Sequence, residues 1–505
     1  MNDNATSGSA TELLQRFLTI LLLSLLLIGS VAQLHVGLAD NGDFSRLSPW
    51  LTSMPEGYTE NWPAEASTQY HERFYNNVIA FWKLDMPLTS RWVSSILLVW
   101  LPGALLNTLL FSTDTLYLPL LSFAPRVILL LFVWLVLRWL RRETASAAAL
   151  YSVLLGVPLV FFGFNTDYVA YFTSMYQEPA SLIGVILVVL TLARFAGRGD
   201  SPWRPWIAGA ALLFLTGAKI SNVHWAFVGA LVLIPWSALL RKPRRLALYL
   251  MLVLILPAAL PIAQASLYGT RKVNAYQSIF CGTLLFSDAP WQHLSRHDMR
   301  PATKYIGHHA YGVEGRECLD LYSDKLSHAA VAEMIAHEPV IAWRMLLFAA
   351  DSMQQAELTH LSKHVLYNTP GAAKHWSRWL PATAAIDTPL NAWTRLKLAV
   401  FPTGATLLAV FALALLLFAA GLRSRDRVLL TIALVGVLLA LAAPLDMWMQ
   451  IFGDGQRDLI KHLYLANICF DGIAILLPAY VLRVLQLLFS GGRSGYWMED
   501  WKRLS

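Results

Sequence analysis

The sequence predicts an all-α, polytopic membrane protein with about 10 to 11 transmembrane helices, and three observations carry this prediction. Of its 505 residues, 56% are apolar and 14% are charged, whereas charged residues make up about 25% of a soluble domain. The mean hydropathy is +0.50. Apolar runs recur along the chain at roughly the length of about 20 residues that crosses a bilayer as a helix.

Residues 13–34 are the first apolar run. They predict an uncleaved first span, because no Lys/Arg-rich region precedes them; Ser30-Val31-Ala32 leaves a cleaved signal peptide as the alternative. Residues 35–91 are polar and rich in aromatic side chains. This composition predicts an outer loop with short helices lying along the membrane interface.

Later apolar runs fall between short basic segments, which indicate the cytoplasmic side. This rule places the amino terminus, residues 141–145 and the carboxyl terminus inside if the run 92–111 is a re-entrant or interfacial segment bent at Pro102-Gly103. A flipped first span is the alternative, and it would put the first loop in the cytoplasm. The later runs are 92–111, 120–140, 146–164, 179–196, 206–219, 222–240, 246–266, 399–421, 428–447 and 463–486.

These runs divide the chain into three parts. Residues 1–266 form an N-terminal transmembrane module, 267–398 an extracytoplasmic helical insertion, and 399–505 the last transmembrane helices with a cytoplasmic tail. In the insertion, a helical period over residues 327–357 is interrupted at Glu338-Pro339. Cys281 and Cys318 both lie there and are predicted to form a disulfide, because an oxidising compartment permits it.

Composition and motifs exclude several functions. The net charge of +7 comes from the short links between apolar runs, so it is an orientation signal and predicts no nucleic-acid partner. Neither GxGxxG nor GxxxxGK[ST] occurs, and no cofactor is predicted. Nine of the thirteen histidines lie in the insertion, and His360 and His364 have helical i, i+4 spacing. No HExxH is present, so no metal is predicted.

The stretch Ala39 to Arg46 is the first candidate site. Asn41-Gly42 favours a tight turn, which brings the carboxylates of Asp40 and Asp43 together at the end of the first apolar run. Such a pair suits a proton, a sugar hydroxyl or a cation. The alternative is an Asx turn that caps a helix end.

Three further stretches place aromatic or cationic groups at the same outer face. Tyr171, Tyr176 and Glu178 suit a carbohydrate, because rings stack on sugars and a carboxylate accepts hydroxyl hydrogen bonds; an aromatic belt is the alternative. Lys219, and the pair Arg271-Lys272, run against the usual charge bias and suit a lipid phosphate. A snorkelling lysine remains the alternative for Lys219.

The loop before the last span is the final candidate. Asp454, Arg457, Asp458 and Lys461 fall at i, i+3, i+4 and i+7, so one continuous helix would place them on one face, with His462 next to them. That face suits a phosphate or pyrophosphate. The alternative is a ladder of ion pairs that neutralise one another.

With these stretches, the chain resembles the polytopic glycosyltransferases of the C superfold (GT-C), in particular bacterial surface-glycan hexose transferases that carry a DNGDF-R motif. The match covers most of the chain in layout. Gln177 stands where the family frequently has Gly. The matching stretches are Asp40-Asn41-Gly42-Asp43-Phe44 with Arg46, Tyr171 to Glu178, Asn274 to Phe280 with Leu284-Leu285 to Asp288, and Asp454 to His462.

The resemblance implies transfer of a hexose from a polyprenyl-phosphate-sugar donor to a glycan or lipid-linked acceptor, on the outer face of a bacterial cytoplasmic membrane. Asp40 or Asp43 would be the catalytic base, and the remaining candidates would bind substrate, with Lys219, Arg271, Lys272, Arg457 or Lys461 stabilising the departing phosphate. A transporter or flippase of a lipid-linked saccharide is the alternative, and a structural subunit is a third.

Overall fold

A computed structural model describes residues 3–34, 36–38, 43–55, 78–90, 92–144, 147–195, 203–233, 243–256, 259, 263, 270–354, 365–366, 392–456 and 458–490. Most of these residues are helical. The α-helices are Asp3–Ala32, Phe44–Leu47, Ile96–Leu110, Phe123–Thr144, Ala148–Tyr151, Val157–Gly163, Thr166–Val169, Glu178–Phe195, Arg204–Thr216, His224–Leu233, Pro243–Leu250, Thr270–Phe280, Pro290–Arg296, Val313–Tyr322, His328–His337, Val340–Ser352, Ala392–Val400, Gly404–Gly421, Arg427–Asp454, Leu459–His462 and Tyr464–Ser490.

Several of these helices are long and apolar enough to cross a membrane. In the described residues there are five, and a sixth if the pair Ala148–Gly163 and Thr166–Phe172, bent by 50°, is one span. Four shorter apolar helices accompany them. The five are Glu12–Ala32, Leu118–Thr144, Gly404–Gly421, Arg427–Asp454 and Tyr464–Phe489, and the four are Ile96–Leu110, Glu178–Ala193, Arg204–Thr216 and Ile220–Val232.

The bundle is centred on Arg427–Asp454, which is buried over much of its length. Asp426 caps this helix by accepting a hydrogen bond from the Leu429 N–H at 2.9 Å, and it also pairs with Arg483 on the last helix. Arg126 is buried at the start of Phe123–Thr144. It donates to the Ser30 carbonyl at 2.6 Å and the Gln33 carbonyl at 3.0 Å, and so satisfies the open end of the first helix.

The predicted bend at Pro102-Gly103 is wrong. Ile96–Leu110 is one helix that contains Pro102, and Gly103 lets it pack closely on the next segment: a Cβ there would lie 2.3 Å from the Leu120 carbonyl oxygen. The break in this half of the chain falls instead near Phe164 and Asn165, between the two helices of the bent pair.

The prediction of an all-α fold also needs correction, because two small sheets are present. Thr52–Pro55, Phe81–Leu84 and Thr115–Tyr117 form a three-stranded antiparallel sheet in which Phe81–Leu84 is central. Val78–Ile79 pairs in parallel with Val365–Leu366. The aromatic side chains of residues 35–91 are typical of a membrane interface, but aromatic side chains also favour strands, so the composition does not distinguish the two.

The insertion folds as predicted in its second half: His328–His337 and Val340–Ser352 meet at Glu338-Pro339. The predicted disulfide is wrong, since Cys281 and Cys318 are both buried thiols that form no disulfide. The Cys281 Sγ donates to the His308 carbonyl at 3.1 Å, and Cys318 packs in the apolar core of the insertion.

Candidate functional site

The carboxylate of Asp43 lies at the centre of a cluster of charged groups. Asp43 precedes the short helix Phe44–Leu47, but its side chain does not cap that helix. It accepts a hydrogen bond from Lys461, and Arg46 Nη2 lies 3.2 Å from its Oδ1. Burial opposes the charge on Asp43, but Lys461 and Arg46 outweigh it and hold the pKa of this carboxyl well below its usual range.

Lys461 is the most buried member of the cluster, with a side chain 3% exposed. Burial alone would lower the pKa of Lys461, yet Asp43 and Glu178 raise it above its usual value. Its ammonium also lies 5.1 Å from the centre of the Tyr176 ring. Lys461 is therefore charged, and carboxylates and a ring face replace the water that it loses.

A second chain of contacts runs beside the first. Lys219 Nζ donates to Glu178 Oε1 at 2.9 Å and lies 3.0 Å from His462 Nδ1. An ammonium only donates, so this Nδ1 accepts, and the Nε2 proton points to Asp454 Oδ2 at 3.4 Å. Burial lowers the pKa of His462, and Lys219 lowers it further. Gln277 Nε2 donates to the other oxygen of Asp454 at 2.9 Å.

Aromatic rings form one wall of this cluster. The Tyr176 ring contacts Phe44 edge-on at 4.9 Å between centroids, and Tyr171 contacts Tyr464 at 4.6 Å. Arg46 lies over the Trp92 ring at 5.5 Å. Its side chain is 40% exposed, which makes it the most accessible of the three paired cations.

The structure therefore brings together eight of the predicted residues: Asp43, Arg46, Tyr176, Glu178, Lys219, Asp454, Lys461 and His462, with Tyr171 behind Tyr176. Arg271 and Lys272 are exposed on the first turn of Thr270–Phe280, and no described ion pair joins either to the cluster. Asp40, Arg457, His360 and His364 lie outside the described residues.

The predicted continuous helix from Asp454 to Lys461 is wrong. The long helix ends at Asp454, Gly455 has a φ of 63°, and Asp458 is left-handed before the turn Leu459–His462. Gly455 sits against the insertion, and the Gln456 N–H donates to the Cys281 carbonyl at 2.9 Å. This reversal turns Lys461 and His462 back toward the first loop.

Two groups of buried polar side chains inside the bundle, around Asp446 and Asp471, are not among the predicted site residues. Asp446 accepts from Gln450 and the Ala466 N–H, and His224 Nε2 lies 3.5 Å from its Oδ1. Asp471 accepts from Tyr168 and lies 3.3 Å from Lys397 Nζ. The sequence does contain a signal for both groupings. Asp446 lies within the apolar run 428–447 and Asp471 within 463–486, and a charged side chain inside a membrane span is costly and therefore indicates a function.

A cavity of about 30 Å³ links the Asp471 grouping to the aromatic wall, and Asp167, Lys397, Asn467, Tyr171 and Tyr464 line it. No group of three or more His, Cys, Asp and Glu side chains in the described residues is arranged to hold a metal ion.

Apolar helices packed in a bundle, with charged groups paired at one end, define a multi-pass helical membrane protein. Comparison with family models identifies the group: residues 3–494 match the YfdI N-terminal transmembrane domain, and the chain belongs to this family. Neither the curated proteins nor the solved structures gave a match.

Proposed function

We propose that the protein is a GT-C-like membrane glycosyltransferase, with about 10 to 11 membrane crossings. It moves a hexose from a polyprenyl-phosphate-sugar donor to a glycan or lipid-linked acceptor, on the outer face of a bacterial cytoplasmic membrane. The observation that carries the proposal is the convergence of Asp43, Lys461, Glu178, Lys219 and Arg46 at one end of an apolar bundle. Five long apolar helices, the bent pair and several of the shorter apolar helices are the candidates for these crossings.

Each group has a role in an inverting displacement. The base removes the acceptor hydroxyl proton as that oxygen attacks the anomeric carbon, and the sugar–phosphate bond breaks with its electrons on the phosphate. Arg46 is the exposed cation, and its planar guanidinium suits two phosphate oxygens. Lys461 and Lys219 contribute positive charge behind it.

Asp43 is a poor candidate for the base. Its pKa is held low by Lys461 and Arg46, and a weakly basic carboxylate gains little by taking a proton near neutral pH. We therefore assign the base to Asp40, and to Asp43 the orientation of Lys461 and Arg46. Tyr171, Tyr176 and Glu178 form the adjoining wall for the sugar.

The test uses the purified full chain in proteoliposomes with a panel of labelled polyprenyl-phosphate hexoses and extracted lipid-linked glycans as acceptors. Transfer of label to the acceptor, lost in Asp40→Asn and kept in the surface variant Glu12→Gln, is the expected result. Absence of transfer with every donor and acceptor would reject the proposal.

A transporter or flippase is the second candidate, and the buried carboxylates in the bundle favour it. His224 Nδ1 lies 2.8 Å from the Ser221 carbonyl and donates to it, and its Nε2 lies 3.5 Å from Asp446 Oδ1, which makes the two a candidate proton-binding pair. Transporters use such intramembrane proton sites. Movement of the labelled donor across the vesicle membrane, without transfer of its hexose to an acceptor, would support this candidate instead if Asp446→Asn abolished that movement.

A further inference from the structure

A large apolar cavity of about 640 Å³ lies within the bundle, away from the charged cluster. Four helices enclose most of it: Phe123–Thr144, Glu178–Phe195, Arg427–Asp454 and Tyr464–Ser490. Leu135 and Ile207 line the cavity and have exposed side chains, so it opens on the outer surface of the bundle. In a membrane that surface faces lipid.

The cavity is elongated along the helices. Its lining extends from Phe132 to Glu143 on one helix and from Leu182 to Ala193 on another. Eleven helical steps span about 17 Å at 1.5 Å per residue. One leaflet of a bilayer has a hydrocarbon depth of about 15 Å, half of the usual thickness. The cavity therefore has the length of a lipid chain in a single leaflet.

One end of the cavity is polar. Arg138, Trp139, Arg142 and Glu143 line it there, so the local charge is positive by one unit. Arg138 lies over the Trp134 ring at 5.1 Å, and no ion pair in the described residues involves Arg138 or Arg142. Both guanidinium groups are available to an anion.

This polar end is remote from the Asp43 cluster. Arg126, near the opposite end of the same helix, bonds to the carbonyls of Ser30 and Gln33, which precede the Asp43 loop. Arg138 and Arg142 follow Arg126 by three to four helical turns, which is about 18 to 24 Å. The two sites lie at opposite ends of the bundle.

We propose that this cavity binds an anionic glycerophospholipid from the leaflet farther from Asp43. The phosphate contacts Arg138 and Arg142, Trp139 lies at the level of the headgroup, and one acyl chain fills the apolar cavity. Basic pockets between transmembrane helices bind such headgroups. The proposal is independent of the glycosyltransferase function, because it uses none of the residues of that site.

The test measures retained lipid on the full chain in nanodiscs of equal phosphatidylglycerol and phosphatidylcholine, by native mass spectrometry after delipidation. One phosphatidylglycerol per chain is expected. At about 1 kcal/mol for each basic residue at a membrane surface, Arg138→Gln with Arg142→Gln should weaken retention about 30-fold. Arg141→Gln is the matched control: it removes the same charge from the same helix, but Arg141 does not line the cavity.

A second variant tests the chain-binding part and does not touch the arginines. Val189→Phe adds volume inside the cavity and should expel the lipid while the melting temperature of the delipidated protein stays within a few degrees of wild type. Equal retention of phosphatidylcholine, an equal loss in Arg141→Gln, or unchanged retention in Val189→Phe would overturn the proposal. So would displacement of the lipid by polyprenyl phosphate, or by millimolar inorganic phosphate.

Discussion

Asp43 and Lys461 are 418 residues apart in the chain and form an ion pair in which Lys461 is buried and Asp43 is partly exposed. The pair joins the loop that follows the first helix to the loop that precedes the last one. Because Lys461 is almost fully enclosed, its charge depends on this carboxylate and on Glu178. The contact therefore links the two ends of the helical bundle's chain and also lies at the centre of the candidate site.

Asp43→Asn should destabilise the protein. It leaves the ammonium of Lys461 buried without its nearest carboxylate, and breaking such a pair costs about 3 to 5 kcal/mol. Asp43 is partly exposed, so we expect a loss of about 3 kcal/mol, the lower end of that range. The measurement is chemical unfolding of the purified protein in detergent.

Glu12→Gln is the control for this change. Glu12 pairs with Arg16 at 2.7 Å, but both side chains are more than half exposed, and exposed pairs contribute about 0.2 to 1 kcal/mol. Equal effects of the two substitutions would contradict a special role for the buried pair.

Stability should decrease as the pH falls below about 6.5, the ordinary pKa of an exposed histidine. Burial and Lys219 lower the pKa of His462, so the unfolded chain binds the proton more readily than the folded one. The stabilisation is complete above the unfolded pKa and is lost as pH falls toward the folded pKa. Burial lowers the pKa of His328 as well, which adds to the same trend.

Thermal unfolding of wild type and His462→Gln between pH 8 and pH 5 measures this effect. The variant should show a shallower decline, with part of the slope remaining because of His328. A slope as steep as that of wild type would mean that His462 does not titrate as its contact with Lys219 implies.

The turn at Gly455 gives a third prediction. Its φ of 63° is a conformation that L side chains rarely adopt, and an added Cβ would lie 2.5 Å from the Gln277 carbonyl oxygen. Gly455→Ala should therefore cost about 1 to 3 kcal/mol. It should also loosen the contact between the insertion and the last loop, detected by faster hydrogen exchange at Gln456.

Gly453→Ala is the matched control, two residues away. No atom lies within 4 Å of an added Cβ there, and alanine favours a helix by about 1 kcal/mol over glycine. This variant should be as stable as wild type or slightly more so. A similar loss in both variants would contradict the role of the Gly455 backbone.

Much of the helical layout was predictable, because long apolar runs have few alternatives. Arg427–Asp454 contains the predicted run 428–447 and extends past it, and Tyr464–Ser490 covers all but the first residue of the run 463–486. The break near Asn165 and the strand Phe81–Leu84 were not predictable in this way. Both depend on partners distant in sequence, which local periodicity does not report.

The candidate site was predictable in its residue types but not in its pairing. Charges near hydrocarbon identified Lys219 and Lys461, and the contacts of Lys219 with Glu178 and His462 arise only when separate loops meet. The reversal at Gly455 shows why helical spacing failed for Asp454 and Lys461: a glycine with positive φ ended the helix between them.

The last prediction separates Asp40 from Asp43 by activity, and it rests on the proposed transferase function. Two carboxylates around a turn repel, so one stays ionised beside cations and the other titrates higher. Asp43 has Arg46 and Lys461 as partners and a lowered pKa, which leaves the general-base role to Asp40.

Asp40→Asn should lose about 10² to 10⁴-fold in transfer rate, or roughly 3 to 5 kcal/mol of transition-state stabilisation, with folding intact. Asp43→Asn should lose less per folded molecule and show part of the loss in acceptor affinity. The measurement is the initial rate of label transfer, normalised to folded protein by size-exclusion chromatography. Near-wild-type rates in both variants would remove the enzyme interpretation of this loop and favour the transporter.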